Sequence, residues 1–361
     1  MSELTAGPEV PAVLPVGRQR KLPSRGLARF LGRRLVALVF LSLGITLVAF
    51  VLTQLVPGNP ALAQLGQNPT PAQIATFNEH YGLDKSVPEQ YGLYLWHVVH
   101  GDLGQSQQTH NSVTHDLGQF IPATAELALL SIVIAGVFGL GFGLIAALRR
   151  DKFIDYGLRI FSLGGVSVPT FRLALIALYI VFFKLGIAPG GDRLDPAVVA
   201  PPHVTGMYTL DALLAGQLST FWNALQHLFL PAIVLAAYNM GLLMRYTRSA
   251  VLDVLDQDYI RATRAKGLPE HTIILRHVLR AAMPAIITVI GLAFANVMTG
   301  AVLVESIFSW PGIGQYGYRA ATQLDLPAIM GVSIFVAIVY ITVNFIVDVL
   351  YGLIDPRIRV A

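Results

Sequence analysis

The chain has 361 residues, of which 54% are hydrophobic and only 13% charged, and its mean hydropathy is +0.62. These values exclude an ordinary soluble domain and indicate a protein of the lipid bilayer. The sequence contains no cysteine, which excludes disulfides and cysteine chemistry.

Six segments are long and apolar enough to cross a bilayer, because about 20 apolar residues span roughly 30 Å of hydrocarbon. We therefore predict an all-α integral membrane protein with six transmembrane helices. Gly164, Gly165 and Pro169 predict that the third helix is kinked or interrupted, and Arg172 follows this break. The predicted spans are 34–56, 121–148, 160–187, 225–250, 282–306 and 328–352.

The basic residues predict the orientation of these spans. Most of the 25 Lys and Arg residues lie in the N-terminal arm, between spans two and three, between spans four and five, or at the C-terminus. In the segment 57–120, Lys85 is the only Lys or Arg residue. Since cytoplasmic loops carry the excess of Lys and Arg, both termini are predicted to be cytoplasmic and 57–120 to lie outside. The net charge of +4 reflects this topology, and nucleic acid is not a predicted partner.

The regions outside the spans divide as follows. Residues 1–28 contain four prolines and predict a disordered cytoplasmic arm, ahead of a transmembrane domain over 29–358 and a tail at 359–361. The arm, an apolar run and Ala61-Leu62-Ala63 imitate a secretory signal. However, the apolar run of about 22 residues exceeds the 7–15 expected of one, so we expect no cleavage.

The outer segment is predicted to be a small helical cap. Thr70 and Gln73 form a capping-box pattern, and Gly82 provides a helix stop. A second helix is predicted from Pro88 to His100.

The polar segment between spans four and five, 253–281, predicts two short helices joined by a fixed bend. Asp258 is the predicted cap of the first helix, Gly267 its left-handed stop, and Pro269 the start of the second. Ala262 and Ala265 share one helical face, and Arg261 and Arg264 form a basic strip beside it, as expected of a docking helix. Lys266 completes the set of predicted coupling residues. The alternative is a polybasic loop that lies on anionic lipid, which needs neither the small residues nor the bend.

The word RATRAKG at 261–267 resembles the glycine-containing cytoplasmic loop of ABC importer permeases, which inserts into the nucleotide-binding subunit. More narrowly, the chain resembles the B-type permeases of the dipeptide, oligopeptide and nickel group, over residues 30–358. Other matching words are PGNP at 57–60, YGLD at 81–84, GDLG at 101–104, PATAE at 122–126 and ESIFSWPGIG at 305–314.

This resemblance implies a transport subunit in a bacterial inner membrane. Its implied partners are a second homologous permease, two ATPase subunits that carry ATP and Mg²⁺, and an extracytoplasmic peptide-binding protein. The chain has no G-x-x-x-x-G-K-[ST] phosphate loop, so no cofactor is expected on the chain itself. Peptide is the predicted solute, with nickel or another small solute as the alternative.

Polar residues within the spans are candidates for the solute pathway or its gate, because ionisable groups are costly in a bilayer. They are Arg172, Asn239, Asn296, Glu305 and Asn344. Each has a structural alternative: an ion pair for Arg172, capping of the next turn for Glu305, and interhelical hydrogen bonds for the asparagines. Asp348 is expected to bind the nearby basic loop.

Two other classes of protein stay open as remote alternatives. An intramembrane serine protease would use Ser167 or Ser333 with His227, although Ser is also an ordinary packing residue in membrane helices. An ion-coupled carrier would need no ATPase. The outer histidines at 97, 100, 110 and 115 lack the spacing of a metal site, so no metal is expected.

Overall fold

The computed structural model describes residues 69–354 and scattered positions between 32 and 51. Within these residues the chain is helical, with one isolated β-bridge between Gln105 and Ser112. Two segments, Leu178–Lys184 and Ile273–Val278, are π-helical. The α-helices are α1 (Pro71–Tyr81), α2 (Val87–Val99), α3 (Val113–Leu148), α4 (Phe153–Ser167), α5 (Thr170–Ala177), α6 (Tyr208–Leu214), α7 (Leu218–Leu255), α8 (Asp258–Ala265), α9 (Glu270–Thr272), α10 (Leu279–Gly300), α11 (Val302–Ile307), α12 (Ile313–Gln323) and α13 (Leu326–Ile354).

Four helical segments among the described residues are long and apolar enough to cross a membrane. They are Val113–Leu148, Leu218–Leu255, Glu270–Thr299 and Leu326–Leu350, and each contains most of a predicted span. A bent pair, Phe153–Ser167 with Thr170–Lys184, makes a fifth if it is counted as one span. The first predicted span, 34–56, lies only partly within the described residues, and its described positions are helical. The six-span count therefore stays a prediction.

The predicted interruption of the third span is confirmed, and Pro169 rather than the glycines marks it. The axes of the two helical halves differ by 96°. Val168 and Pro169 are extended, with ψ of 122° and 134°, because a residue before proline is driven away from helical backbone. Gly165 instead lies inside α4, where a Cβ would stand 2.9 Å from the carbonyl oxygen of Ala237.

The centre of the bundle is the pair α3 and α7, which pack closely through glycines of α3. A Cβ at Gly139 would lie 2.8 Å from the Cβ of Leu243. A Cβ at Gly143 would lie 2.7 Å from the carbonyl oxygen of Met244 and from the Cβ of Thr247. This four-residue spacing of glycines lets two membrane helices approach at backbone distance.

The two helices predicted within residues 57–120 are confirmed. Thr70 and Gln73 form a capping box at α1, and Gly82 ends that helix with φ of 64°. The second helix is α2, within one residue of its predicted bounds. Pro122, predicted to open the second span, instead lies inside α3, which begins nine residues earlier at Val113 behind the cap residue Ser112.

Candidate functional site

The candidate coupling site is the corner between α7 and α10, where α8 forms a separate short helix. Gly267 follows α8 with φ of +77°, the left-handed backbone that glycine adopts without strain. Pro269 follows two residues later, in extended backbone, immediately before α9. The predicted design of two helices joined by a glycine-proline bend is therefore confirmed.

Ile260 attaches α8 to the membrane helices. Its side chain is fully buried and belongs to a cluster with Val251 of α7, Ile273 and Val278 of the following π-helical segment, and Ala147 of α3. Burying an isoleucine side chain stabilises a fold by about 1.5–3 kcal/mol. One buried residue thus joins α8 to three other elements, and α8 cannot tilt freely without opening this cluster.

The opposite side of α8 is exposed. We name this surface, formed by Arg261, Ala262, Arg264, Ala265 and Lys266, the docking face. The two alanines leave the backbone open to close approach, while the side chain of Arg261 is 69% exposed. The structure thus brings the predicted small and basic residues together on one solvent-facing surface.

Asp258 does not cap α8, contrary to the sequence prediction. The N-cap is Gln257, and Asp258 is the first helical residue. Its carboxylate accepts a hydrogen bond from Arg261 Nη1 at 3.2 Å, so it faces one turn forward instead of back to the free backbone N–H groups. The negative charge still lies in the first turn, where it interacts favourably with the positive end of the helix dipole.

An ion pair that the sequence analysis missed spans the bend. Arg264 Nη2 donates to Glu270 Oε1 at 2.7 Å, and Arg264 Nε donates to Glu270 Oε2 at 3.3 Å. These hydrogen bonds raise the pKa of Arg264 above its usual range. The pair links the end of α8 to the start of α9 across Gly267. The sequence signal for this pair was Glu270, an acidic residue immediately after the predicted glycine-proline bend.

Two of the predicted pathway residues share one cavity. A cavity of about 330 Å³ lies at the break between α4 and α5, and Asn239 of α7 and Asn296 of α10 both line it. Asn239 Nδ2 donates to the carbonyl oxygen of Leu235, and Asn296 Oδ1 accepts from the hydroxyl of Tyr340 at 2.6 Å. The broken helix thus opens a partly polar space between spans.

Arg172 and Asn344, two further pathway candidates, lie outside that cavity lining. Arg172 is exposed on α5, one residue beyond the cavity-lining Phe171, with its guanidinium 5.9 Å from that ring. It makes no ion pair within the described part of the chain. Asn344 is exposed on α13.

Glu305 has the geometry of a helix cap. Its side chain is fully buried, Oε1 accepts from Thr124 Oγ1 at 2.7 Å, and Oε2 accepts from the backbone N–H of Gln315 at 2.8 Å. Thr124 in turn accepts from the N–H of Ile313. Together the two side chains satisfy the first turn of α12. This is the capping alternative for Glu305, and a gating role stays a prediction.

A second buried ion pair was not predicted. Arg193 Nη2 lies 2.6 Å from Glu126 Oε2, and both side chains are at most 7% exposed. Glu126 also accepts from the N–H and hydroxyl of Thr209, and Arg193 stacks on the ring of Tyr208 at 3.6 Å. The loop before α7 is thereby held against α3. Glu126 and Arg193 are 67 residues apart, so no local pattern indicates the pairing.

Two residues of the protease alternative, His227 and Ser333, are engaged in structural hydrogen bonds. His227 Nδ1 donates to the carbonyl oxygen of Gly191 at 2.6 Å, and Nε2 lies 3.2 Å from Asp195 Oδ1. The hydroxyl of Ser333 donates to the carbonyl oxygen of Ile329. These contacts give the alternative no support.

Comparison with known proteins places the chain among transport components. Residues 139–360 match the family described as binding-protein-dependent transport system inner membrane component, and residues 27–128 match the corresponding N-terminal family. A solved structure titled "Inward facing conformations of the MetNI methionine ABC transporter" aligns with a TM-score of 0.46 and 14% identity, covering 75% of this chain and 100% of that one.

Curated relatives match nearly the whole chain. The "Probable D,D-dipeptide transport system permease protein DdpB" of Escherichia coli K12 is 41% identical over 328 residues, 91% of this chain and 96% of its own. The "Di/tripeptide transport system permease protein DppB" of Pseudomonas aeruginosa is 41% identical over 331 residues, covering 91% and 98%. The chain belongs to the family of binding-protein-dependent transport system inner membrane components.

Proposed function

We propose that this chain is a permease subunit of an ATP-driven importer of di- and oligopeptides in a bacterial inner membrane. The family is the membrane component of binding-protein-dependent transport, and the curated relatives above are named as dipeptide or tripeptide permeases. The chain would form half of the solute pathway. A second homologous permease supplies the other half, and an extracytoplasmic peptide-binding protein delivers the solute.

The observation that carries the energetic part of this proposal is α8, exposed on one side and fastened by Ile260 on the other. Two ATPase subunits, with ATP and Mg²⁺ bound to them, would contact the docking face from the cytoplasm. A binding event can change the gate only if it favours one arrangement of the spans over another. The Ile260 cluster and the Arg264–Glu270 pair provide the stiff link that such transmission needs.

The orientation follows from the same arrangement. If α8 meets cytoplasmic ATPases, the ends of α7 and α3 that surround it are cytoplasmic, which agrees with the positive charge of these regions. Both termini are then cytoplasmic, and α1 and α2 lie outside. The cavity lined by Asn239 and Asn296 would belong to the pathway, with Arg172 near it as a positive charge for a peptide carboxylate.

The test is co-purification of the complete complex with the double variant Arg261→Glu, Ala265→Trp. The first change reverses a charge on the docking face, and the second fills the space above the helix backbone. We expect the ATPase subunits to be lost, and peptide-stimulated ATP hydrolysis with them. The matched control is Arg319→Glu, Ala321→Trp, two exposed positions on α12. The proposal is wrong if the α8 variant retains its ATPases as fully as the control.

Substrate class needs a separate measurement. Proteoliposomes that contain the assembled complex should accumulate labelled dipeptide only with ATP inside the compartment that faces α8. Accumulation driven by an ion gradient without ATP would instead identify an ion-coupled carrier. Uptake of nickel in place of peptide would leave the permease assignment standing and replace the solute.

A further inference from the structure

A second cavity, of about 290 Å³, lies between α4 and α7 near the ends of these helices that adjoin α8. Its lining combines three arginines and two serines with four apolar residues. They are Ala146 of α3, Leu158, Arg159, Ser162 and Leu163 of α4, and Met244, Arg245, Arg248 and Ser249 of α7. Neither the proposed coupling site nor the solute pathway uses these residues.

Within this cavity one arginine is committed to a carboxylate. Asp155 is fully buried and accepts from Arg248 Nε and Nη2, both at 2.8 Å. It also accepts from the backbone N–H of Asp151. This bidentate pair is a structural link between α4 and α7. It neutralises Arg248 and leaves little capacity on Asp155 for a second cation.

The other two arginines keep their positive charge largely available. Arg159 Nε is 3.6 Å from Asp155, beyond hydrogen-bonding distance, and its side chain is 42% exposed. Arg245 is exposed and makes no ion pair among the described residues. An aromatic ring lies beside each guanidinium group. The Arg159 guanidinium is 4.5 Å from the centre of the Tyr156 ring, and the Arg245 guanidinium is 5.5 Å from the centre of the Tyr246 ring. Two oriented guanidinium groups at one opening form an anion site.

The surface beside this opening is apolar. Leu163, which lines the cavity and belongs to a membrane-spanning helix pair, is 60% exposed, and the lining residues Ala146, Leu158 and Met244 are apolar as well. A soluble anion would gain nothing from such a surface, whereas acyl chains would cover it. The neighbouring hydroxyl of Ser249 adds a donor that has no partner within the described part of the chain.

We propose that this cavity binds the phosphate headgroup of an anionic phospholipid of the cytoplasmic leaflet. Arg159 and Arg245 bind the phosphate oxygens, Ser249 donates to the headgroup, and the acyl chains pack on Leu163 at the edge of the cavity. Basic pockets between membrane helices on the cytoplasmic side are suited to such headgroups. The inference rests on the cytoplasmic placement in the proposed function but not on the solute or on ATP hydrolysis.

The test is lipid binding to the purified complete complex, delipidated in a neutral detergent and titrated with short-chain phosphatidylglycerol under native mass spectrometry. Arg159→Gln and Arg245→Gln should each weaken binding about fivefold, the equivalent of about 1 kcal/mol per arginine near a membrane surface. Arg245→Lys should retain most of the binding, because it keeps the charge. The control is the double variant Arg276→Gln, Arg280→Gln. It removes two exposed positive charges that do not line the cavity, and lipid binding to the cavity should be unchanged.

Four results would overturn the inference. The first two are binding of phosphatidylcholine as tight as that of phosphatidylglycerol, and a loss of binding in the control as large as in the cavity variants. The third is full competition by inorganic phosphate, which indicates a soluble-anion site. The fourth is binding that appears only when the second permease is removed. If Arg159→Gln does not assemble, Arg245→Gln alone decides the matter, since the side chain of Arg245 is exposed and makes no ion pair within the described residues. Because the readout is lipid binding, its failure is distinct from failure of the transport proposal.

Discussion

Arg264 and Glu270 form an ion pair of 2.7 Å across the left-handed turn at Gly267. The pair ties the last turn of α8 to the residue that begins α9, and α9 leads through a π-helical segment into the membrane helix α10. The docking face is therefore connected to the membrane helix α7 before the bend and to α10 after it. Both partners are about half exposed, so the value of the pair lies in orientation more than in stability.

Glu270→Gln tests this orienting role. We expect less than about 1 kcal/mol change in the free energy of unfolding, as is usual for exposed pairs, but a severalfold fall in peptide-stimulated ATP hydrolysis by the assembled complex. Asp258→Asn is the matched control, because it removes an exposed carboxylate that pairs with Arg261 within α8 and does not cross the bend. Equal activity of the two variants would contradict the role.

Ile260→Ala should release α8 from the membrane helices. A buried isoleucine cut to alanine costs about 2–5 kcal/mol, because apolar contacts are lost and a cavity remains. We expect a lower melting temperature of the purified chain and faster proteolysis after Lys266. Ile260→Val, which removes one methylene, should cost only about 0.5–1.5 kcal/mol. If alanine and valine behave alike, α8 is not anchored at this residue.

Gly267→Ala should strain the bend without any steric clash. No atom lies within 4 Å of the position that a Cβ would occupy, so the cost is the left-handed backbone alone, about 1–2 kcal/mol. Gly267→Asn should be better tolerated, because asparagine enters this conformation more readily. Thermal unfolding and stimulated ATP hydrolysis measure both effects. An alanine variant that matches wild type in both would show that the turn is adaptable.

Gly143→Ala tests the close contact between α3 and α7. The added methyl group meets the backbone of Met244 and the side chain of Thr247 at 2.7 Å, and we expect a destabilisation of about 1–3 kcal/mol from overpacking. Gly136→Ala on the same helix has open space around its Cβ and should be neutral or stabilising through helix propensity. Melting temperatures in detergent distinguish them. Identical effects would rule out the close approach.

Asn239→Leu and Asn296→Leu should lower peptide transport while leaving assembly and basal ATP hydrolysis intact, because both line the cavity at the helix break. Asn344→Leu, at an exposed position on α13, is the control and should transport normally. The measurement is uptake into proteoliposomes. A loss confined to Asn344→Leu would place the pathway elsewhere.

Features that depend on a few neighbouring residues could be predicted from the sequence. The stop at Gly267, the break at Pro169 and the capping box at Thr70 each follow from local backbone preferences, and all three are present. The 96° direction of the break could not be predicted, because it depends on how α5 packs against other helices.

Features that depend on distant parts of the chain were missed or misassigned. Glu126 meets Arg193 only after the loop before α7 folds over α3. Asp258 was predicted to cap α8, but its carboxylate pairs with Arg261 instead. The Asp258–Arg261 pair is local, three residues apart in α8, so there two nearby partners compete for one carboxylate, whereas the partner of Glu126 is chosen by tertiary geometry.

The natural chain has no cysteine, which allows a direct test of the central proposal that ATPases contact the docking face. A single cysteine introduced by Ala265→Cys should react with the thiol-reactive end of a short cross-linker whose other end is photoreactive, and illumination should link the chain to an ATPase subunit in native membranes. A cysteine introduced by Ala321→Cys, exposed on α12, should not. Cross-linking of the ATPase from position 321 but not from position 265 would contradict the account.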